Sequence, residues 1–120
     1  MTGQEKSVSE SISDFVHNFP SNNIPNEIVE HAKLCIIDAV GIAFASRTYD
    51  FSKSVLRTMS ELGGGGNSPV IGQTETLPLR DAVFCNAALI HGLDYDDTHL
   101  DSVVHCSASH WPVAFNLGVA

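Results

Sequence analysis

Apolar positions in this chain recur mainly at helical spacing. Val8, Ile12, Phe15, Val16 and Phe19 are three and four residues apart, with Ser and Asp between them. That pattern predicts an amphipathic helix over about Ser7 to Phe19. Pro20-Ser-Asn-Asn breaks it. A second helix is expected to open with Pro25 at its first position and with Glu27 and Glu30 near its N-terminus, where acids suit the helix dipole. It runs through Ile28, Ala32, Cys35, Ile36, Ala39 and Ala43 to about Ser46. Its half from Leu34 to Ala45 is apolar nearly all round, which predicts burial among other helices.

A third helix, roughly Phe51 to Leu62, stops at Gly63-Gly-Gly-Gly66, since glycine accepts the positive φ that ends a helix. The glycine run lacks the following GK[ST] of a phosphate loop, and it does not open a helix after a strand as GxGxxG does. Pro69-Val-Ile-Gly72 reads as a short extended piece. Pro78 restarts a helix that reaches about His91, Asp94 to Val104 reads as a loop, and a last helix begins near Ser107 or Pro112. No segment alternates with period two, so the expected fold class is all-α. Residues 113–120 are apolar and carry no C-cap signal, so residues 1–120 read as the N-terminal portion of a longer helical domain.

Composition narrows the partners. The 120 residues hold 14 Asp+Glu against 6 Lys+Arg, a formal net charge of −8. Nucleic acid and anionic membrane surfaces both require a basic face, so neither is expected as a partner. The best apolar run is 12 residues and contains Asp38, too short to span a bilayer. Cys35, Cys85 and Cys106 form no CxxC pair and suit buried thiols in a reducing compartment. The N-terminus has neither a secretory apolar region nor an Arg-rich, acid-poor transit pattern. A cytoplasmic location is therefore expected, with the mitochondrial matrix as the alternative.

The chemistry is concentrated late in the chain. Four of the six histidines, His91, His99, His105 and His110, fall within residues 91–110 together with Asp94, Asp96, Asp97 and Asp101, and no Lys or Arg follows Arg80. Imidazoles and carboxylates crowded without counter-cations are the raw material of acid–base catalysis. A calcium loop does not fit, because His99 stands at its glycine position and His105 at its closing glutamate. His99-Leu-Asp101 has the opening spacing of a two-histidine, one-carboxylate metal triad, but that triad needs a β-scaffold that this pattern does not offer. Proton transfer without a metal, beside a carboxylate or carbonyl, is the third and favoured reading. Cys106 has no activating partner in sequence and reads as an inert thiol.

The run Asn86-Ala-Ala-Leu-Ile-His91-Gly-Leu-Asp94-Tyr-Asp96-Asp97-Thr98-His99, followed by Val103-Val104-His105, resembles the MmgE/PrpD family. The helix LCIIDAVGIAFA, the Gly-rich turn, Pro69-Val-Ile-Gly72 and Ala82-Val-Phe-Cys-Asn86 agree with it, so the resemblance covers about residues 8 to 120. It implies a helical domain that contributes part of an active site to a homodimeric lyase or isomerase. The implied reaction is dehydration, decarboxylation or epimerisation of a small di- or tricarboxylate, with no cofactor. Asp94, Thr98 and His105 match pocket residues of the family. The expected roles are His105 as acid/base, Asp94 to orient an imidazole and stabilise its charge, and Thr98 to donate a hydroxyl hydrogen bond to a substrate carboxylate. Asp96 and Asp97 are expected to cap the following turn, Asp97 more clearly, while His91 suits the dipole at a helix end and is equally open to a functional role. Residues 81–120 contain no cation to hold a polyanionic substrate, so this stretch is expected to be inactive by itself. The rival reading is a non-catalytic helical module that binds a partner through Leu34–Ala45 and Val113–Ala120.

Overall fold

A computed structural model describes residues 6–120, which divide into one compact unit ending at Glu30 and a second from His31 to Ala120. In the first unit, helix α1 spans Val8–Asn18. A reciprocal capping box starts it. The Glu10 backbone N–H donates to Ser7 Oγ at 3.3 Å, and the Ser7 N–H donates to Glu10 Oε2 at 2.8 Å. These bonds satisfy two donors that a helix start leaves open, and they hold the Glu10 carboxyl below its ordinary range. The apolar face expected of α1 is present, but Val8, Ile12, Phe15 and Val16 are exposed. A single 3₁₀ turn at Ser21–Asn23 follows.

Helix α2 spans Asn26–Ser46, with the Pro25 carbonyl accepting from Ile28 and Val29 just ahead of it. In the second unit, Ala39, Ile42, Ala43 and Ser46 of α2 are buried, whereas Leu34, Ile37 and Phe44 are exposed. The expectation that this half would be buried all round therefore holds for one face only, because the core packs against that face alone. Helix α3, Asp50–Gly63, ends where Gly64 and Gly65 take φ values of 72° and 84°, as the glycine run predicts.

Short antiparallel pairs separate the remaining helices. Strand β1 (Ser68–Pro69) pairs with β2 (Thr76–Leu77), Ser68 opposite Leu77. Helix α4 spans Leu79–His91. Strand β3 (Thr98–His99) pairs with β4 (Val104–His105), Thr98 opposite His105, and helix α5 runs from Cys106 to Gly118. The architecture is all-α with two-residue strand pairs as ornaments. Such strands are too short to leave a period-two signal, which is why the stretch 94–104 reads as loop in the sequence. Helix α5 begins at Cys106 and carries Pro112 in its interior, buried.

Helix α4 is the centre of the second unit and packs on both α3 and α5. Its Ala82, Cys85, Leu89 and Ile90 join Ala39, Ala43, Val70, Leu77 and Ala108 in one core cluster. Alanines at Ala82 and Ala108 keep the facing surfaces small and let the helix backbones approach. The chain can leave α4 only through a glycine: a Cβ on Gly92 would lie 2.2 Å from the Phe51 ring. The candidate site hangs from that end of α4.

Candidate active site

Helix α4 places His91 in its last turn, and Gly92 closes it with an N–H bond to the Ala88 carbonyl. Asp94 then takes a left-handed φ of 56°, a conformation that aspartate tolerates better than most residues. Beyond this reversal Asp96 lies inside the protein, its side chain 0% exposed, and β3–β4 returns the chain so that His105 lies opposite Thr98.

One carboxylate faces two imidazoles. Asp96 Oδ1 is 3.1 Å from His91 Nδ1 and 3.3 Å from His105 Nδ1, and the two rings are tilted with centroids 4.9 Å apart. His105 Nδ1 also lies 3.1 Å from the Asp96 carbonyl and 3.4 Å from Thr98 Oγ1. The Thr98 hydroxyl donates to that same carbonyl at 3.3 Å. On the other side of the ring, His105 Nε2 is 3.7 Å from Asp94 Oδ1, beyond a direct hydrogen bond, and the Asp94 side chain is exposed.

The structure thus brings Asp94, Thr98 and His105 together, but the carboxylate at Nδ1 is Asp96. Asp94 stands at the opposite ring nitrogen. Asp97 takes a capping position, its Oδ1 accepting from the Ser107 backbone N–H in the first turn of α5 at 3.1 Å. Asp96 does not cap.

His91 and His105 line an open groove of about 520 Å³, together with Phe84, Ala87, Val104 and Ala108. Its walls are mostly apolar, and neither Lys nor Arg lines it. An apolar groove with a few converging polar groups is the usual form of a small-molecule site. His99 and His110 stand apart. His99 Nδ1 pairs with Ser102 Oγ at 2.8 Å, and His110 Nδ1 faces the Cys106 carbonyl at 2.7 Å. The His99-Leu-Asp101 spacing therefore forms no donor cluster among the described residues. The donors that do converge are one atom each from His91, Asp96 and His105, all within 4.8 Å of one another. Two imidazoles and a carboxylate are a ligand set that suits zinc or iron, and the same separations are also hydrogen-bond distances between the rings and the acid.

The match with known proteins agrees with the motif. The MmgE/PrpD N-terminal domain matches residues 10–119. The chain belongs to the MmgE/PrpD family. It is similar to cis-aconitate decarboxylase of Mus musculus, 28% identical over 116 residues that make up 96% of this chain and 24% of that protein. The Homo sapiens cis-aconitate decarboxylase matches to the same extent, 28% over 116 residues. The cis-aconitate decarboxylase of Aspergillus terreus is 25% identical over 108 residues, 90% of this chain and 22% of that protein. The chain spans about a quarter of the length of these relatives.

The sequence alone gives Asp96 a capping role and leaves His91 between structure and function, whereas both belong to this cluster. Their shared signal was the five-residue separation across a Gly-Leu-Asp turn, enough to fold an acid back onto the last helical turn.

Proposed function

We propose that this chain supplies the proton-transfer half of a lyase acting on a small di- or tricarboxylate, of the cis-aconitate decarboxylase type. The observation that carries the reading is His105 on the wall of the groove, with Thr98 and Asp94 within 3.4 and 3.7 Å of its ring nitrogens.

The chemistry fits this arrangement. Loss of CO₂ breaks a carbon–carbon bond and leaves an electron pair that must be protonated at carbon. Each turnover thus consumes one proton, and an imidazole beside the substrate is the side chain best suited to deliver it near neutral pH. Asp94, close to Nε2, stabilises the ring while it carries the extra proton. Dehydration would use the same ring in the opposite sense, first removing a proton beside a carboxylate. The decarboxylase type is favoured over dehydration because the similar proteins are cis-aconitate decarboxylases. The apolar groove wall weakens solvation of a departing carboxylate, which favours neutral CO₂. The cations that hold the remaining carboxylates come from outside residues 81–120, which contain none.

The test is CO₂ release from cis-aconitate by the intact gene product, with 2-methylcitrate dehydration assayed beside it. Turnover of cis-aconitate that falls by about 10²–10⁴-fold in His105→Gln supports the reading. No turnover of either substrate, or full activity in His105→Gln, overturns it.

A further inference from the structure

We propose that Asp96 is a positioning residue that locks two imidazoles, His105 and His91, in the same tautomer, so that Nε2 of each ring is the atom that carries the proton. The inference deepens the proposed acid–base role of His105 and rests on that reading for its catalytic meaning, but its geometry stands alone.

Two acceptors surround His105 Nδ1. The Asp96 carbonyl at 3.1 Å can only accept. Thr98 Oγ1, which spends its hydrogen on the same carbonyl, offers a lone pair from 3.4 Å. A bare nitrogen in that place would face acceptors with its own lone pair. Nδ1 therefore bears the hydrogen, and in the neutral ring the free lone pair is on Nε2. At His91 the argument is simpler, since Nδ1 faces Asp96 Oδ1 at 3.1 Å and donates to it.

Burial gives the clamp its strength. The Asp96 side chain is fully enclosed, and its Oδ2 has no hydrogen-bond partner among the described residues. A carboxyl group taken out of water without strong donors is costly, so its Oδ1 depends on the His91 ring N–H, while the Asp96 backbone carbonyl takes the His105 ring N–H. Free imidazoles favour the hydrogen on Nε2. Here the protein reverses that preference in both rings, and both rings line the same groove. His91, half exposed at 52%, thereby becomes a second proton carrier beside His105.

Long-range ¹H–¹⁵N spectra of the ¹⁵N-labelled protein, recorded with both rings neutral, read the tautomers directly and use no substrate. The expected result is Nδ1–H for both His91 and His105, with His91 reverting to Nε2–H in Asp96→Ala, which removes its acceptor. If Asp96→Ala loses its dispersed amide spectrum, the isosteric Asp96→Asn is read instead. There the ring signals of His91 shift, because a neutral amide replaces its carboxyl acceptor, while His105 keeps Nδ1–H on the backbone carbonyl that the substitution leaves in place. Nε2–H at His91 in the parent protein, or ring shifts that either folded variant leaves unchanged, overturns the clamp. Ring signals that move together when a chelator is added also overturn it, and assign the three residues to a metal ion instead. Failure to turn over cis-aconitate leaves this result untouched, so the two readings fail separately.

Discussion

Asn86 and Asn116, thirty residues apart and both fully buried, meet through an Asn86 Nδ2 to Asn116 Oδ1 hydrogen bond of 2.9 Å. Both amides also donate to one backbone oxygen, that of Pro69, at 3.1 and 2.9 Å, and Asn86 Oδ1 accepts from the Ile71 N–H at 2.8 Å. Two helix side chains thus complete the hydrogen bonding of β1 and the turn that follows it. A buried network of this kind is rigid when every member is paired and costly when one is removed.

Asn116→Leu, close in volume, strips one donor from the Pro69 carbonyl and leaves Asn86 Nδ2 short of an acceptor. The expected cost is about 2–3 kcal/mol of stability, read from chemical denaturation of the purified chain. A midpoint within a few tenths of a kcal/mol of the parent would show that the amides are replaceable packing.

Asp97 joins the β3–β4 hairpin to α5 by accepting from the Ser107 N–H. Asp97→Ala should cost about 1 kcal/mol, the usual loss for a helix cap, whereas Asp97→Asn retains an acceptor oxygen and should cost less. Amide exchange at Ser107 is the specific reporter. It should quicken in Asp97→Ala and stay near the parent rate in Asp97→Asn, and equal rates in all three proteins would remove Asp97 from the cap.

Val103 has a φ of 52° at the tip of that hairpin and is 79% exposed. A β-branched residue in the left-handed region carries about 1–2 kcal/mol of strain, and little burial offsets it here. Val103→Asn, which tolerates that conformation, should stabilise the chain by about 1 kcal/mol, seen as a higher Tm. Val103 also lines the groove, and a lower Tm would mean that the groove wall needs the valine.

The helices were legible because each holds its apolar residues at spacings of three and four long enough for a pattern to form. The Gly63–Gly66 stop followed from local chemistry in the same way, whereas Asp97 caps the first turn of α5 ten residues on rather than the turn that follows it. The burial of Asp96 did not follow from local chemistry. Asp96 and Asp97 are identical neighbours in sequence, and only the backbone reversal at Asp94 decides which turns inward to the imidazoles and which reaches Ser107. The family resemblance singled out Asp94, Thr98 and His105, but the pairing of Thr98 with His105 depends on a strand register two residues long. His91 gave no separate signal, since a histidine at a helix end satisfies the dipole whether or not an acid lies beside it.

Cys85 provides the clearest pH dependence. Burial, with the nearby Asp81 charge adding to it, pushes its thiol up to about 11. At pH 8 its thiolate fraction is on the order of 10²-fold below that of an ordinary cysteine. Alkylation at that pH should therefore mark the half-buried Cys35 and Cys106 first, with Cys85 labelled only after unfolding. The sign of the stability effect follows from which form the fold prefers. The folded chain keeps the proton that the unfolded chain releases above its ordinary thiol pKa, so this contribution is whole below about pH 9 and is lost as pH rises towards 11. Cys85→Ala removes the titration and should flatten the fall in stability over that window, although it also leaves a small cavity that lowers stability at every pH. A variant whose stability declines as steeply as the parent's from pH 9 to 11 would place the alkaline loss at some other group.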